Sequence, residues 1–470
     1  MEPVALAAII LAAGRGSRMK SALPKVLHPL CGLPMVAHVG RAVRGAGVVR
    51  PVVVVHPDAA TAIRQALGDE EYLFAGQAEQ LGTGHAALMA REALGSFSGR
   101  LLVVPGDAPL ITSEALRDLL ARHVKTRAAA TVATFRASGE HTYGRVVRDG
   151  EGRPAGIVEH KDATPEQRSI EEVNSAVYVF DSQTLWRLLS GVGRANAAGE
   201  HYLTCVIAAI AAEGGRVEAL CFEDPDLFLG CNDRWELARA ARKMQNRIQR
   251  AHALAGVTIA DPGSTWIGTE ARLAEDVLIE PFTILDGATS VGRGSVIGPH
   301  ATVKDSTIGQ GCLVLHSHVT AATLEDGARC GPFAHLRPRT VLGAGARAGN
   351  FVEVKNATFG RGAKASHLAY IGDASVGAGA NVGAGTITCN FDGIAKHRTE
   401  IGEGAFIGSN STLVAPLTIG EGAFVAAGST ITRNVPKDAL ALGRARQEVK
   451  EQWAKQWRQR KREAMRSVKT

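Results

Sequence analysis

Between residues 256 and 443 the chain repeats itself every six residues. Ile267, Leu273, Ile279, Leu285, Val291, Ile297 and Val303 keep this spacing without a gap, and Ile401, Ile407, Leu413, Ile419, Val425 and Ile431 take it up again. A spacing of six matches neither the 3.6-residue face of a helix nor the two-residue alternation of a plain strand. It is the signature of a parallel β-helix, where each short strand sends one aliphatic residue inward and Gly permits the tight corners. The region holds 29 of the 53 Gly, many beside periodic positions, as in Ile297-Gly298, Ile401-Gly402 and Ile407-Gly408. At about 18 residues per three-sided coil, it predicts roughly ten coils. An aromatic content of 5% suits a narrow triangular core. The period slips by one residue between Val303 and Ile308 and breaks for longer around Cys389–Arg398. The longer break predicts a loop that leaves the coil and crosses to a neighbouring subunit.

The first half follows another pattern. Apolar runs at Val4–Leu11, Val52–Val55, Leu101–Val104, Thr131–Phe135, Val173–Phe180 and Val217–Phe222 predict strands. Amphipathic stretches such as Met35–Arg44 and Thr112–His123 lie between several of them. Continuous apolar strands separated by helices predict an α/β fold with a mostly parallel sheet. Ligands on such sheets sit at the carboxyl ends of the strands. Trp235–Ala255 carries Leu237, Ala241, Met244 and Ile248 at helical spacing and contains no Gly or Pro, which predicts one linker helix. The expected domains are therefore residues 1–234, the linker 235–255, the β-helix 256–443 and a tail 444–470.

The chain of 470 residues has room for two or three domains. Its Gly has no triplet period, which excludes collagen, and 45% apolar content excludes a largely disordered chain. The net charge of +7 is local: Arg444–Thr470 holds ten Lys/Arg and three Asp/Glu, while residues 1–443 hold 43 of each sign. A basic tail of this kind is a nucleic-acid candidate, but no recognised module contains it, and no nucleic-acid partner is expected. Seven scattered Cys (31, 205, 221, 231, 312, 330, 389) form no CxxC pair and argue for reduced thiols. The apolar start Val4–Ala13 follows Glu2 rather than a basic leader and reads as a buried strand. No apolar stretch reaches the ~18–20 residues that span a bilayer. The expectation is a cytoplasmic protein without membrane insertion.

Two sets of residues carry chemistry. In the first half, Leu11-Ala12-Ala13-Gly14-Arg15-Gly16-Ser17-Arg18 follows a strand, with Lys25 close behind. Glycines let backbone N–H groups approach phosphates, and Arg15, Arg18 and Lys25 can neutralise a triphosphate. The spacing fits neither a Walker A loop nor GxGxxG, and a plain βα turn remains the alternative. Asp107, in Pro105-Gly106-Asp107, ends another apolar run; it is either a ligand for Mg²⁺ on nucleotide phosphates or a turn and cap residue. Gln77 and Thr83 lie in a second Gly-containing loop, Gln77-Ala78-Glu79-Gln80-Leu81-Gly82-Thr83-Gly84-His85-Ala86, and are placed to read a base edge. In the second half, His367 lies among aliphatic repeats with Arg337, Lys355, Asn381 and Asn390 nearby in sequence. A lone His is usually structural. A neutral imidazole can also take the proton of an amine attacking a thioester, and Arg337 and Lys355 can grip a sugar phosphate.

These motifs together resemble the sugar-1-phosphate nucleotidyltransferases. The fused β-helix narrows the resemblance to the bifunctional bacterial glucosamine-1-phosphate N-acetyltransferase/N-acetylglucosamine-1-phosphate uridyltransferases, over about residues 4–445. The resemblance implies a Rossmann-like nucleotidyltransferase domain joined by a helical linker to a left-handed parallel β-helix. It implies that Leu11, Ala12, Ala13, Gly14, Gln77, Gly82 and Thr83 hold the uridine nucleotide of UTP, with Lys25 on phosphate and Gly106 beside Asp107. Gly144, Glu159 and Asn174 would hold the N-acetylglucosamine moiety, and Asp107 and Asn232 would ligate Mg²⁺. At the other site His367 would be the general base, oriented by Glu353. Arg337, Lys355, Tyr370, Asn381 and Lys396 would bind glucosamine 1-phosphate, and Ala384, Asn390, Phe391, Ser409, Ala427 and Arg444 would line the acetyl-CoA site. The family forms homotrimers through its β-helices. Its product, UDP-N-acetylglucosamine, feeds peptidoglycan and, in Gram-negative bacteria, lipid A. The basic tail is expected to lie solvated near the CoA phosphates.

The sequence departs from the family at Pro105, Cys205, Asp233 and Phe391, where relatives often carry Tyr, Asp, Asn and Tyr. Asp233 bears on the metal assignment, and Phe391 lacks the hydroxyl of a Tyr. Three other readings stand beside this one. The β-helix is a mere scaffold for a monofunctional nucleotidyltransferase; the chain is a non-catalytic nucleotide-sugar sensor; or His316, His318 and His335 hold zinc, as in β-helix carbonic anhydrases.

Overall fold

The structure is a computed structural model that describes residues 5–139, 141–193 and 196–467. Val4 and the last three residues of the tail lie outside them. The chain divides into two compact units, the first ending at Ala251 and the second starting at His252, with Ile267–Thr269 grouped with the first.

The first unit is built on β1 (Leu6–Ala12), α1 (Met35–Gly45), β2 (Val52–Val55), β3 (Leu73–Gly76), α2 (Thr83–Leu94), β4 (Arg100–Pro105), α3 (Ser113–Thr126), β5 (Ala130–Arg136), β6 (Arg145–Arg148), β7 (Pro154–Val158), β8 (Glu172–Asp181), α4 (Thr204–Ala212) and β9 (Val217–Phe222). The sheet order is β9-β5-β8-β4-β1-β2-β3, with the β6–β7 hairpin attached to β8. Strands β1 and β2 and the Leu101–Val104 stretch of β4 are fully apolar because helices cover both faces, and Ala8, Ile9 and Ile10 are wholly buried. The expected mostly parallel sheet is interrupted at β8, which runs antiparallel to β4, β5 and β6, and in the antiparallel β6–β7 hairpin. Between Asn174 and Tyr178 its register shifts, with Ala176 at φ 62°, a bulge that no pattern in the sequence announces. The linker helix α5 (Arg234–Leu254) starts one residue earlier than the periodicity suggests. Asp233 explains this, since its Oδ1 accepts from the backbone N–H of Trp235 at 2.9 Å and of Glu236 at 2.8 Å.

The second unit is a parallel β-helix whose three sheets contain 11, 10 and 9 strands, about ten coils. Every periodic aliphatic residue is buried except Leu273, which lies in the edge strand of its sheet. A second periodicity accompanies the first. Two residues before the inward aliphatics sit small buried side chains such as Thr283, Thr289, Ser295 and Ala301. Backbone carbonyls satisfy several of their hydroxyls, Ser295 donating to Gly309 O at 2.8 Å and Thr289 to Asp286 O at 2.6 Å, while the buried Thr399 hydroxyl has no partner among the described residues. Up to Val382 the coil advance varies by only a residue or two, as Ile279 pairs with Ile297 and Val314 with Cys330, whereas Val382 pairs with the more distant Ile407. The additional residues form the excursion between strands Ile387–Cys389 and Thr399–Ile401. A bridge between Phe391 and Lys396 closes it. Asp392 braces it by accepting from Ile394 N at 2.8 Å and Ala395 N at 2.7 Å, and by pairing with His397 Nε2 at 2.7 Å. Phe391 and Ile394 are left exposed, the latter at 95%. The tail forms α6 (Trp453–Ser467), on which Trp453 and Trp457 stack at 6.2 Å. No helix among the described residues is long and apolar enough to cross a membrane, and none of the seven Cys forms a disulfide.

Candidate active sites

At the carboxyl ends of β1, β3 and β4 a cavity of about 330 Å³ opens. Leu11, Ala12, Ala13, Gly14, Lys25, Gln77, Gly82, Thr83 and Asp107 all line it. The loop after β1 reaches it through a backbone that Gly16 makes possible. Gly16 sits at φ +64°, and a Cβ there would lie 2.4 Å from Lys25 Cβ. Gly106 donates its N–H to Leu11 O at 2.8 Å, binding the ends of β4 and β1 together. Pro105 ends β4 and lines the cavity without a donor of its own. Thr83 is partly committed, since its hydroxyl accepts from Leu203 N at 3.1 Å.

The ammonium of Lys25 contacts the Asp107 carboxylate and lies 2.7 Å from Asn232 Oδ1, so one cation joins both expected metal ligands. Asn232 is held from behind, its N–H donating to Glu236 Oε2 at 2.6 Å. Asp107 and Asn232 offer one carboxylate and one amide oxygen, the hard donors that Mg²⁺ takes alongside phosphates. A cation of this chain already stands between them, so the donor set fits such an ion.

The expected sugar-binding residues form a second group. Gly144 O accepts from Asn174 N at 2.9 Å. A Cβ on Gly144 would crowd Ile157 Cγ2 at 3.0 Å and only touch Glu159 Oε2, at 3.4 Å. Burial pushes the Glu159 carboxyl above its ordinary range, although Thr204 Oγ1 donates to it at 3.2 Å. Asn174 donates to Tyr178 OH at 2.7 Å and opens the β8 bulge that sets Ala176 in the cavity wall. Arg15 and Arg18 stand exposed and are not among the lining residues. Gln80 and Glu200 line the cavity and were not singled out by the sequence. Gln80 donates to Ala13 O at 2.7 Å, and its place in the Gln-rich loop was a usable signal; nothing marks Glu200. Cys205 has no role that the structure explains.

In the β-helix, His367 ends the strand Lys364–His367, exposed, and Leu368 turns the corner at φ 49° into the strand Tyr370–Gly372. On that next face Glu353 pairs in register with Tyr370, and Lys355 with Gly372. Three expected phosphate-binding cations converge there. The Lys396 ammonium beside Lys355, with Arg337 adding to it, pushes the Lys355 amine below its ordinary range. Glu353 Oε1 accepts from Arg337 at 2.8 Å, and among the described residues it does not bond His367. Asn381 stands in register with Lys364 one coil on. The expected acetyl-CoA residues stack along one corner: Asn410 N donates to Ala384 O and Gly428 N to Ser409 O, each at 2.7 Å. Ala427 precedes Gly428, whose Cβ position lies 4.0 Å from Arg444 Cδ. Asn390 is buried and donates to Asp373, while Phe391 is exposed on the excursion. Burial raises the Asp373 carboxyl, but hydrogen bonds from Asn356 and Asn390 and the charges of Lys396 and Lys355 hold it below its usual range. Sequence inspection passed over Asp373. His318 and His335 approach with ring centroids 6.2 Å apart, yet no group of three His, Cys, Asp or Glu among the described residues is disposed to hold a metal ion.

A family model for a MobA-like NTP transferase domain matches residues 8–251, and one for bacterial transferase hexapeptide repeats matches residues 398–433. The bifunctional protein GlmU of Geobacillus thermodenitrificans is 48% identical over 97% of this chain and 98% of its own length. The chain belongs to the bifunctional GlmU family. Its likeness to other members is as even: GlmU of Streptococcus thermophilus is 47% identical over 95% of this chain and 97% of its own. GlmU of Kineococcus radiotolerans is 48% identical over 96% and 92%. The nucleotidyltransferase match falls in the first unit of the fold and the hexapeptide match in the second.

Proposed function

We propose that this chain makes UDP-N-acetylglucosamine in two steps, acetylating glucosamine 1-phosphate on the β-helix and uridylylating the product in the first unit. The observation that carries the reading is the convergence of Arg337, Lys355 and Lys396 one corner away from His367. A mere scaffold has no use for three mutually repelling cations beside an exposed imidazole.

In the first step the phosphate of the amino sugar neutralises these cations. By drawing Arg337 to itself it frees Glu353, which then orients His367. The sugar amine attacks the thioester carbonyl of acetyl-CoA, the N–C bond forms and the C–S bond breaks. His367 takes the amine proton and returns it to the departing thiolate. Ala384, Ser409, Ala427 and Arg444 form the corner along which CoA lies, and Asn381 and Tyr370 position the sugar. Asn390 and Phe391 flank the excursion, whose exposed Phe391 and Ile394 suit a subunit contact in a homotrimer.

In the second step the phosphate oxygen of N-acetylglucosamine 1-phosphate attacks the α-phosphorus of UTP in line, and diphosphate leaves. Gln77, Gly82 and Thr83 hold the uracil side; Leu11–Gly14 cradle the nucleotide backbone; Gly144, Glu159 and Asn174 hold the acetamido sugar. Asp107 and Asn232 would hold Mg²⁺, which supplies charge neutralisation on the phosphates. Lys25 adds its charge, and Arg15 and Arg18 flank the entrance. The reading places the enzyme in the cytoplasm. Incubating the purified protein with glucosamine 1-phosphate, acetyl-CoA, UTP and Mg²⁺ should give UDP-N-acetylglucosamine and diphosphate by mass spectrometry. Accumulation of UDP-glucosamine instead would contradict the order of steps.

A further inference from the structure

Lys25 does more in this structure than line a phosphate site. Its ammonium donates to the Asp107 carboxylate and to Asn232 Oδ1, at 2.7 Å, and to no other side chain among the described residues. The side chain is 11% exposed and that of Asp107 24%, so the pair is sheltered. Both oxygens are carried by backbone fixed without help from the lysine: Asp107 O accepts from Cys231 N at 2.9 Å, and Asn232 N is anchored on Glu236. Gly16 packs on the lysine stem so closely that a methyl group there would lie 2.4 Å from Lys25 Cβ. The ammonium is thus held between two prepositioned hard oxygens.

We infer that Lys25 is a resident counter-cation that occupies the divalent-metal position until nucleotide phosphate draws it away, so that metal loading is coupled to nucleotide binding. This rests on the assignment of Asp107 and Asn232 as metal ligands. Two cations so close to one carboxylate repel strongly in a sheltered site. A divalent ion entering without nucleotide must therefore displace the lysine or share Asp107 with it. When a nucleotide is present, its phosphates offer the ammonium a new partner, and the two oxygens become free.

Metal binding itself provides the test, with Mn²⁺ as probe and free Mn²⁺ followed by electron paramagnetic resonance on the full chain. Without nucleotide, Lys25→Met should bind Mn²⁺ about tenfold more tightly than the wild type, a difference of ~1.4 kcal/mol, and Lys25→Arg should remain weak. Adding UDP-N-acetylglucosamine should tighten Mn²⁺ binding in the wild type and much less in Lys25→Met. Circular dichroism establishes that each variant is folded. Equal Mn²⁺ affinity of wild type and Lys25→Met without nucleotide would overturn the inference alone, provided Asp107→Asn abolishes binding to the nucleotide complex. If Asp107→Asn binds Mn²⁺ like the wild type, the metal assignment fails first and this inference with it.

Discussion

Replacing Gly16 by Ala puts the smallest possible group at the most constrained point of the nucleotide loop. Two costs follow from the structure. Gly16 holds φ +64°, the left-handed region, where a side chain costs about 1–2 kcal/mol. The new Cβ would lie 2.4 Å from Lys25 Cβ, while real contacts of this kind stay above 3.0 Å, so one of the two segments must move by several tenths of an ångström. Because the obstacle is the root of the lysine side chain, it cannot rotate out of the way, and overpacking of this kind costs ~1–3 kcal/mol. The sum is ~2–5 kcal/mol of local stability. The functional effect is larger than the structural one. Lys25 sits 2.7 Å from Asn232 Oδ1, and a misplacement approaching 1 Å near reacting groups costs on the order of 10²-fold in rate. Uridylyl transfer, followed as diphosphate release, should fall by about 10–100-fold. Acetyl transfer, assayed on the same preparation as thiol release from acetyl-CoA, should stay within error. Gly14→Ala is the control for stability, because a Cβ at Gly14 meets nothing within 4 Å and its φ is ordinary. Wild-type uridylyl transfer and an unchanged melting temperature in Gly16→Ala would refute the reasoning.

Two further outcomes are expected. Burial, with the Arg100 charge adding to it, depresses His123 from 6.5 to about 4, so the folded state prefers the neutral ring. That stability is complete above the unfolded value of 6.5 and drains as pH falls toward about 4, by up to ~3 kcal/mol. Urea titrations from pH 7 to 4 should show this slope and a flatter one for His123→Gln; identical slopes would sink the assignment. Deleting residues 446–470 removes the exposed basic helix α6 and should raise the Michaelis constant for acetyl-CoA while sparing that for UTP. No change in either would make the helix irrelevant to catalysis.

The architecture was legible because its signals are periodic. A six-residue aliphatic repeat leaves one solution for the backbone, and the inward residues duly form the core of the coils. The strand ends that carry Leu11–Gly14 and Asp107 were legible for a related reason: runs such as Val52–Val55 are apolar only because helices cover both faces of the sheet. What stayed hidden depends on contacts across long stretches of chain. Nothing local to Glu172–Asp181 says that this strand runs antiparallel, or that it bulges after Asn174 to set Ala176 in the cavity wall. The lysine between Asp107 and Asn232 is a contact over 82 and 207 residues of sequence, beyond any motif. Glu353 shows a different limit. The family resemblance gives it to His367, while here it pairs with Arg337 across one coil, the partner within reach when no phosphate competes. Asp233 looked like a departure affecting the metal, and it proves to be the cap of α5.

The central claim is that one polypeptide carries two separate catalytic sites, and single substitutions at each test it directly. Asp107→Ala and His367→Ala should be purified in parallel, and both reactions measured on each with excess substrates. The account predicts that Asp107→Ala loses uridylyl transfer and keeps acetyl transfer, and that His367→Ala does the reverse. Full acetyltransferase activity in His367→Ala would contradict the β-helix site, and loss of both activities in either folded variant would contradict their independence.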